Sequence, residues 1–199
     1  MINVSEAKQQ IIQHCKSSRV EEKSLPEALG FCLAETLLAK IDTPPFDNSA
    51  MDGYAFSYAK WDQKSTLTVI GEVQAGSENI VKTGSNEAIR IFTGAAVPAD
   101  VDTVVMQEKV ELDGNKIRLL DDNLKQGSNV RLKGSQTQKG DVALQQGQII
   151  TPAGISYLAG MGFSKVKVYA KPKVSLIITG KELVKAGETL EDGKIYESN

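Results

Sequence analysis

The chain has 199 residues, 41% of them hydrophobic and 24% charged, with a net charge of −2 and a pI near 5.6. That balance gives no global attraction to nucleic acid or an anionic membrane, and it supplies enough apolar residues for one large domain or two modest ones. With 17 glycines against 5 phenylalanines and 1 tryptophan, turns and short strands outweigh aromatic packing.

In chain order, Val4-Ser5 followed by Ala7, Ile11, Ile12 and Cys15 gives a one-faced helical stripe with Ser5 as N-cap. His14 beside it reads as a surface residue, and one histidine is too few for a His-based zinc site. Cys15 and Cys32 form no Cys-x-x-Cys pair and read as reduced core thiols of a cytoplasmic protein. No early segment joins a basic start to a long apolar run, and the longest apolar stretches are strand-sized. Ser24-Leu25-Pro26-Glu27 has capping-box spacing and opens a short helix that Gly30 ends. Phe31–Leu38 reads as a strand. It leads to Pro44-Pro45, which fix φ and make the chain enter the next segment extended.

Residues 43–56 are the most informative stretch. Asp47-Asn48-Ser49 carries three short polar side chains able to fold back on the backbone, and Asp52-Gly53 sets a carboxylate beside a residue free to bend or approach a ligand. Phe46, Met51 and Tyr54 bracket them as apolar anchors. The same residues also fit a linker with two Asx-turns. From Thr66 the texture changes to short strands: Thr66–Val73, Ala88–Phe92, Thr103–Leu112 and Lys116–Leu120, with a hairpin at Asp113-Gly114-Asn115. Regular short strands predict a small barrel or sandwich. A helix is predicted over Pro152–Gly160, capped by Thr151, and a strand over Lys165–Tyr169. Val174–Ile178 reads as a strand buried on both faces of a parallel sheet. Its crossover helices are absent, and Ser198-Asn199 suits a helix N-cap, so the chain reads as a piece ending inside an α/β domain.

Three further runs carry candidate chemistry. Arg90–Pro98 leads through Thr93-Gly94-Ala95 to Thr103–Glu108, which reads as strand, close-approach turn and strand, or as a plain β-connection. Arg131 and Lys133 sit at alternate positions of an extended run, a fork and a point charge suited to a phosphate or oxyanion, though from the residues alone a solvated edge strand protected by positive charge is the readier reading. Thr179-Gly180-Lys181-Glu182-Leu183 comes directly after the apolar run, where α/β sheets place ligands, or forms a surface turn.

Pro45–Ala55 resembles the hallmark of the molybdopterin molybdenumtransferases, the MoeA-type family that includes the gephyrin E domain. Arg90–Glu108 resembles its second signature, with Asp100-Val101 where Gly-Ala is usual, and the Asn129–Gly134 and Thr179–Leu183 runs resemble two more. The resemblance covers the chain from about Val4. It departs from the family at Gln136, where an Asp is usual, and at Lys181, which replaces another.

It implies a mixed α/β multi-domain fold: an N-terminal helix (1–19) packing on the α/β domain that begins at 171–199, a small α+β domain from 20–45 and 137–170, and an inserted β-rich, barrel-like domain over 46–136. It implies insertion of molybdate into adenylylated molybdopterin with release of AMP, aided by Mg²⁺, in a cytoplasmic homodimer that binds neither nucleic acid nor membrane. The chain alone should be inactive, since its α/β domain stops early. Carried over by position, Asp52, Arg131 and Glu182 are the catalytic candidates, with Asp52 and Glu182 also metal ligands. Asp47, Asn48, Ser49, Thr93, Lys133, Thr179 and Gly180 are substrate-binding candidates, and Glu108 is a lesser one. Gln136 and Lys181 favour the alternative of a catalytically weakened scaffold or cofactor-binding protein of the same fold. Asp141 is the candidate substitute for the acid missing at Gln136.

Overall fold

Short strands joined by reversals at glycine and asparagine dominate the chain. A computed structural model describes residues 2–15, 19–77 and 81–198. In order, the elements are α1 (Val4–His14), β1 (Val20–Ser24), β2 (Cys32–Leu33), β3 (Leu37–Leu38), β4 (Asn48–Ser49), β5 (Gly53–Phe56), β6 (Leu67–Val73), β7 (Glu87–Ile91), β8 (Thr103–Met106), β9 (Val110–Asp113), β10 (Lys116–Leu119), β11 (Val130–Arg131), β12 (Val142–Leu144), α2 (Pro152–Gly160), β13 (Lys165–Tyr169), β14 (Leu183–Val184) and β15 (Ile195–Tyr196). They fall into two units, residues 21–168 and residues 1–20 with 169–199.

Within residues 21–168 the main sheet has six strands in the order β8-β5-β7-β6-β10-β9. It curls into a half-barrel. All its pairings are antiparallel except β6 with β7, where a bulge between Val69 and Glu72 shifts the register. The hairpin at Asp113-Gly114-Asn115 forms with Asp113 facing Lys116 and Gly114 at φ +58°. A loop covers the β8 edge: Val104 N–H donates to Ser128 O at 3.0 Å, and Asn129 Nδ2 to Val104 O at 2.8 Å. Covering an edge removes a row of open backbone groups.

Apolar side chains inside this unit collect in separate cores. Leu25, Leu33, Leu37, Ile150, Leu158 and Val168 form one, drawing on residues before and after the half-barrel. Ala55, Ile89, Ile91 and Val104 centre a second, and Phe56, Leu67, Val105 and Ile117 a third, all within the sheet. Each buried aliphatic side chain contributes about 1.5–3 kcal/mol. Helix α2 starts as its residues dictate, with Thr151 Oγ1 accepting Gly154 N–H at 3.1 Å and Pro152 in the first turn.

Several expectations change. Helix α1 is capped by Asn3, whose side chain accepts Glu6 N–H at 2.9 Å while Glu6 returns a bond to Asn3 N–H at 3.0 Å. Ser5 is not the cap, because it is Asn3 that has a Glu three residues on. The Ser24–Glu27 segment folds as a single 3₁₀ turn over Pro26–Ala28, with Glu27 accepting from both the Ser24 N–H and hydroxyl. Phe31–Leu38 breaks into β2 and β3 because the chain changes partner, from the β13 sheet to β12. Thr103–Leu112 breaks at a 3₁₀ turn over Gln107–Lys109, since β5 begins at Gly53 and offers no partner past Met106. Cys15 is exposed and Cys32 half-buried, so neither is a core thiol; both are unpaired.

In the unit of residues 1–20 and 169–199, Val174–Ile178 is not a strand. Val174 is 76% exposed, Leu176 76% and Ile177 88%, and no described residue pairs with it. Apolarity supplies the pattern of a buried strand, but only a neighbouring strand supplies its hydrogen bonds. The parallel pair here is β14 with β15. Ile11 and Ile12 of α1 are exposed. The cap expected at Ser198-Asn199 extends to Asn199, and the 1–19 segment includes residues 1 and 16–18; these lie outside the described residues. Among the described residues no helix is long and apolar enough to cross a membrane.

Gly53 occupies the tightest backbone position. A Cβ there would sit 1.9 Å from Val105 O and 2.9 Å from Val105 C. Gly53→Ala should cost about 3 kcal/mol or more in urea unfolding of this chain, because backbone must move to make room. A loss under about 1 kcal/mol would show that β5 and β8 can separate freely.

Candidate functional site

The run from Thr43 to Phe56 forms a strap that leads into β5, an inner strand of the half-barrel. Thr43-Pro44 is a cis peptide. Residues 133–137 run beside the strap: Gly134 N–H donates to Pro44 O at 2.9 Å and Gln136 N–H to Thr43 O at 2.9 Å. Strand β4 pairs with β11, Ser49 opposite Val130 and Asn48 opposite Arg131. On its other side Ser49 N–H donates to Ala95 O at 3.0 Å, Gly94 N–H to Ser49 O at 2.9 Å, and Val97 N–H to Asp47 O at 2.9 Å. The strap therefore lies between the Thr93–Pro98 turn and the Val130–Lys133 run. Three stretches far apart in sequence meet there.

Its side chains divide by burial. Asn48 is 8% exposed and Ser49 fully buried. Ser49 Oγ donates to Met51 O at 2.6 Å, and Asn48 Nδ2 lies 3.5 Å from Phe46 O. These two shape the loop from within. Asp47 is exposed, and its Oδ1 accepts Lys133 N–H at 2.7 Å. Asp52 is half-buried; its Oδ1 accepts both the Thr93 N–H and the Thr93 hydroxyl, each at 2.7 Å. Thr93 backbone N–H, then its hydroxyl, hold the Asp52 carboxyl below its usual range; partial desolvation opposes this and the Arg90 charge adds to it. Asp52 is thus an anion with one oxygen engaged and Oδ2 unbonded among the described residues.

Positive charge faces the strap from β11 and beyond. Arg131 is exposed, and its side chain makes no hydrogen bond or ion pair among the described residues. Lys133 Nζ lies 3.4 Å from Asp42 Oδ2. Asp42 also accepts Lys139 N–H at 2.8 Å, which more than any other contact lowers its carboxyl pKa, with Lys133 assisting against desolvation. A solvent-exposed pair of this kind contributes little, so the Lys133 ammonium can turn to another anion at small cost. Lys40, Asp42, Pro45, Lys133 and Lys139 line a hollow of about 220 Å³ beside it. A second hollow of about 390 Å³ lies by Asp47 and Asp102, but neither Asp52 nor Arg131 lines it, and Asp102 is already held by Tyr58, Thr103 and Gln126.

The remaining candidates lie elsewhere. Glu108, on the 3₁₀ turn, accepts Gln107 Nε2 at 3.1 Å. Gln136 is exposed. Asp141 caps its own turn, accepting Gln138 N–H at 2.9 Å. Thr179, Gly180 and Glu182 belong to the other unit and are exposed, with the Glu182 carboxylate folded against Gly180 at φ +156°. Arg90, Asn129 and Asp42 were not singled out from sequence. Asn129 adopts φ +58° and holds the β8 edge and Ala50 N–H together, a role whose only sequence signal is the residue type that tolerates that conformation.

Among the described residues no group of three His, Cys, Asp or Glu side chains could cage a metal. One Asp52 oxygen fits a Mg²⁺ held through one or two carboxylates plus substrate oxygens and water, which is that ion's usual manner of binding.

Residues 2–162 match the MoeA N-terminal region (domain I and II). The chain belongs to that family. It is 37% identical over 200 residues to the molybdopterin molybdenumtransferase of Haemophilus influenzae, covering all of this chain and 50% of that protein. It is 39% identical over 205 residues to that of Staphylococcus aureus, covering all of this chain and 48% of that protein. The structure of the molybdopterin biosynthesis MoeA protein from Pyrococcus horikoshii OT3 superposes with a TM-score of 0.85 at 35% identity, covering 100% of this chain and 54% of that one. The chain spans about half the length of the curated relatives it matches.

The Asp52 environment gives a pH signature. In this chain the Asp52 carboxyl should titrate below the ordinary value of 3.8. A folded-state pKa lowered in this way contributes stability that is complete above the unfolded-state pKa and is lost as pH falls through the folded one. Thr93→Val removes the hydroxyl bond and should move the titration up toward 3.8, read by carbon-detected NMR of the carboxyl. An unmoved midpoint would mean that the hydroxyl does not bind the carboxylate.

Proposed function

We propose that the protein carrying this chain inserts molybdate into adenylylated molybdopterin and releases AMP, as a step of molybdenum cofactor synthesis. The observation that carries the reading is the meeting of three stretches at one strap, with a fixed carboxylate at Asp52 and an unpaired guanidinium at Arg131. The family relationship and relatives named molybdopterin molybdenumtransferase support it.

The task is to hold two anions together. Arg131 offers a planar fork to an oxyanion or phosphate, and Lys133 a mobile ammonium released from Asp42. Asp47 fixes the Lys133 backbone, so the anion meets a preset run rather than a loose one. Asp52 stays ionised, and its unbonded oxygen would orient water or hold metal. Thr93, Asn48 and Ser49 keep that loop in shape. Asp52 would be a ligand of Mg²⁺, whose charge would screen the repulsion between the two anions, and Glu182 stays a metal-ligand candidate of its own unit. Thr179 and Gly180 stay substrate-binding candidates of their own unit.

The same reading takes 46–136 as a β-rich domain inserted in a small α+β domain of 20–45 and 137–170, supported by their separate apolar cores. Residues 171–199 would begin an α/β domain on which the 1–19 helix packs. The working form would be a cytoplasmic homodimer, a compartment compatible with two unpaired thiols, and the chain alone would be inactive. A second reading, a scaffold of the same fold with weakened catalysis, rests on the amide at Gln136 and the cation at Lys181.

Two substitutions in the whole protein separate these readings. Asp52→Asn keeps an oxygen to accept from Thr93 while removing the charge, so turnover of adenylylated molybdopterin with molybdate should fall about a hundredfold with the fold intact. Normal turnover would return Asp52 to a purely structural role. Gln136→Asp should raise turnover or Mg²⁺ affinity modestly, since a carboxylate binds Mg²⁺ far better than an amide. Undetectable turnover in both the parent and this variant would favour the scaffold.

A further inference from the structure

Arg90 has no part in the chemistry proposed for the strap, yet it bonds Gly53 and Gln107, two residues that flank Asp52 in the chain or through its carbonyl. It lies on β7 directly opposite Tyr54 of β5. Its guanidinium stacks between two rings, with Cζ 5.1 Å from the Tyr54 centroid and 4.8 Å from that of Phe92. Nη1 donates to Gly53 O at 2.9 Å, and Nη2 to Gln107 Oε1 at 2.5 Å. Gly53 is next to Asp52 in the chain, and Gln107 N–H donates to Asp52 O at 3.0 Å. The guanidinium therefore grips both flanks of the Asp52 peptide, one through a backbone carbonyl and the other through the residue that bonds the Asp52 carbonyl.

Both acceptors are neutral, and Arg90 makes no ion pair among the described residues. A guanidinium that serves only as a surface charge would find a carboxylate or water. This one is stacked and half-buried, with its fork spent on fixing geometry. Lysine could supply the charge, but not two divergent bonds from one plane.

We infer that Arg90 is a positioning residue that holds the Asp52 loop against β7 and β8, so that Asp52 presents its unbonded oxygen to the substrate side. The inference rests on the transferase reading for its catalytic consequence, though not for its structural one. Arg90 acts through Asp52 and does not itself touch substrate.

Two measurements decide it. In the full chain, amide hydrogen exchange at Thr93 and Gln107, the two N–H groups bonded to Asp52, should speed up about tenfold or more in Arg90→Gln, while protection at Leu33 and Val168 in the separate core is unchanged. Unchanged protection at both amides would overturn the inference whether or not the protein is a transferase. In the whole protein, Arg90→Gln should lower kcat about tenfold with KM within about threefold, and Arg90→Lys should recover less than half of that loss. In an Asp52→Asn background the same change should cost less than about twofold, because a residue acting through Asp52 has nothing left to position. An equal loss in both backgrounds would mark Arg90 as general sheet support and contradict the inference. Gln107→Ala cuts one of the two bonds and serves if Arg90→Gln does not fold; it should show the same dependence on Asp52 at smaller size. Absence of turnover in the unsubstituted whole protein would count against the transferase reading, leaving exchange at Thr93 and Gln107 to decide the role of Arg90.

Discussion

The close approach of Gly53 to the Val105 carbonyl is the constraint on which the site depends. It lets β5 run between β7 and β8 with residues 53–56 paired on both sides. Any side chain at position 53 would push the strand away from β8, and Asp52, one residue earlier, would move with it. With β5 seated, Asp52 emerges opposite Thr93 and takes both its donors. The carboxylate is placed by backbone packing first and by hydrogen bonding second.

The strap converts this local fit into a two-sided site. Its β4 segment is held between the Ala95–Val97 turn and β11, so Asp52 and Arg131 are carried by one continuous backbone network. The two sides differ in firmness. Asp52 is fixed by donors from a neighbouring strand end, whereas Lys133 is tied by one exposed ion pair and one backbone bond. Exposed pairs contribute little, so the cationic side can rearrange around an anion while the acidic side stays in place. A firmly held acid and an adaptable cationic run on the same strap suit the proposed joining of two anions of different shape.

Much of this was legible in the sequence. Turn residues at Gly114, Thr151 and Pro152 set element ends that the structure reproduces, because those signals act locally. The strap was conspicuous since so many short polar residues rarely sit beside two prolines without a structural purpose. What stayed hidden depended on partners distant in sequence. Gly53 read as a place where the chain could bend or meet a ligand; its neighbour is β8 of its own sheet. Arg90 read as an ordinary strand residue until the β5–β7 register placed it across from Tyr54. Asp42 gave no local signal, because its partners Lys133 and Lys139 lie about ninety residues on. Val174–Ile178 failed in the opposite direction: its pattern is that of a buried strand, and no partner among the described residues completes it.

The site is thus one firm carboxylate and one adaptable cationic run on a half-barrel, and the proposed reaction would bring two anions to it. The most direct check is coupling in the whole protein: AMP release and molybdenum incorporation, measured together while molybdate is titrated into adenylylated molybdopterin. AMP should appear only with molybdate and in equal amount to the molybdenum incorporated. Release of AMP that ignores molybdate, or binding of both anions with no turnover at all, would contradict it.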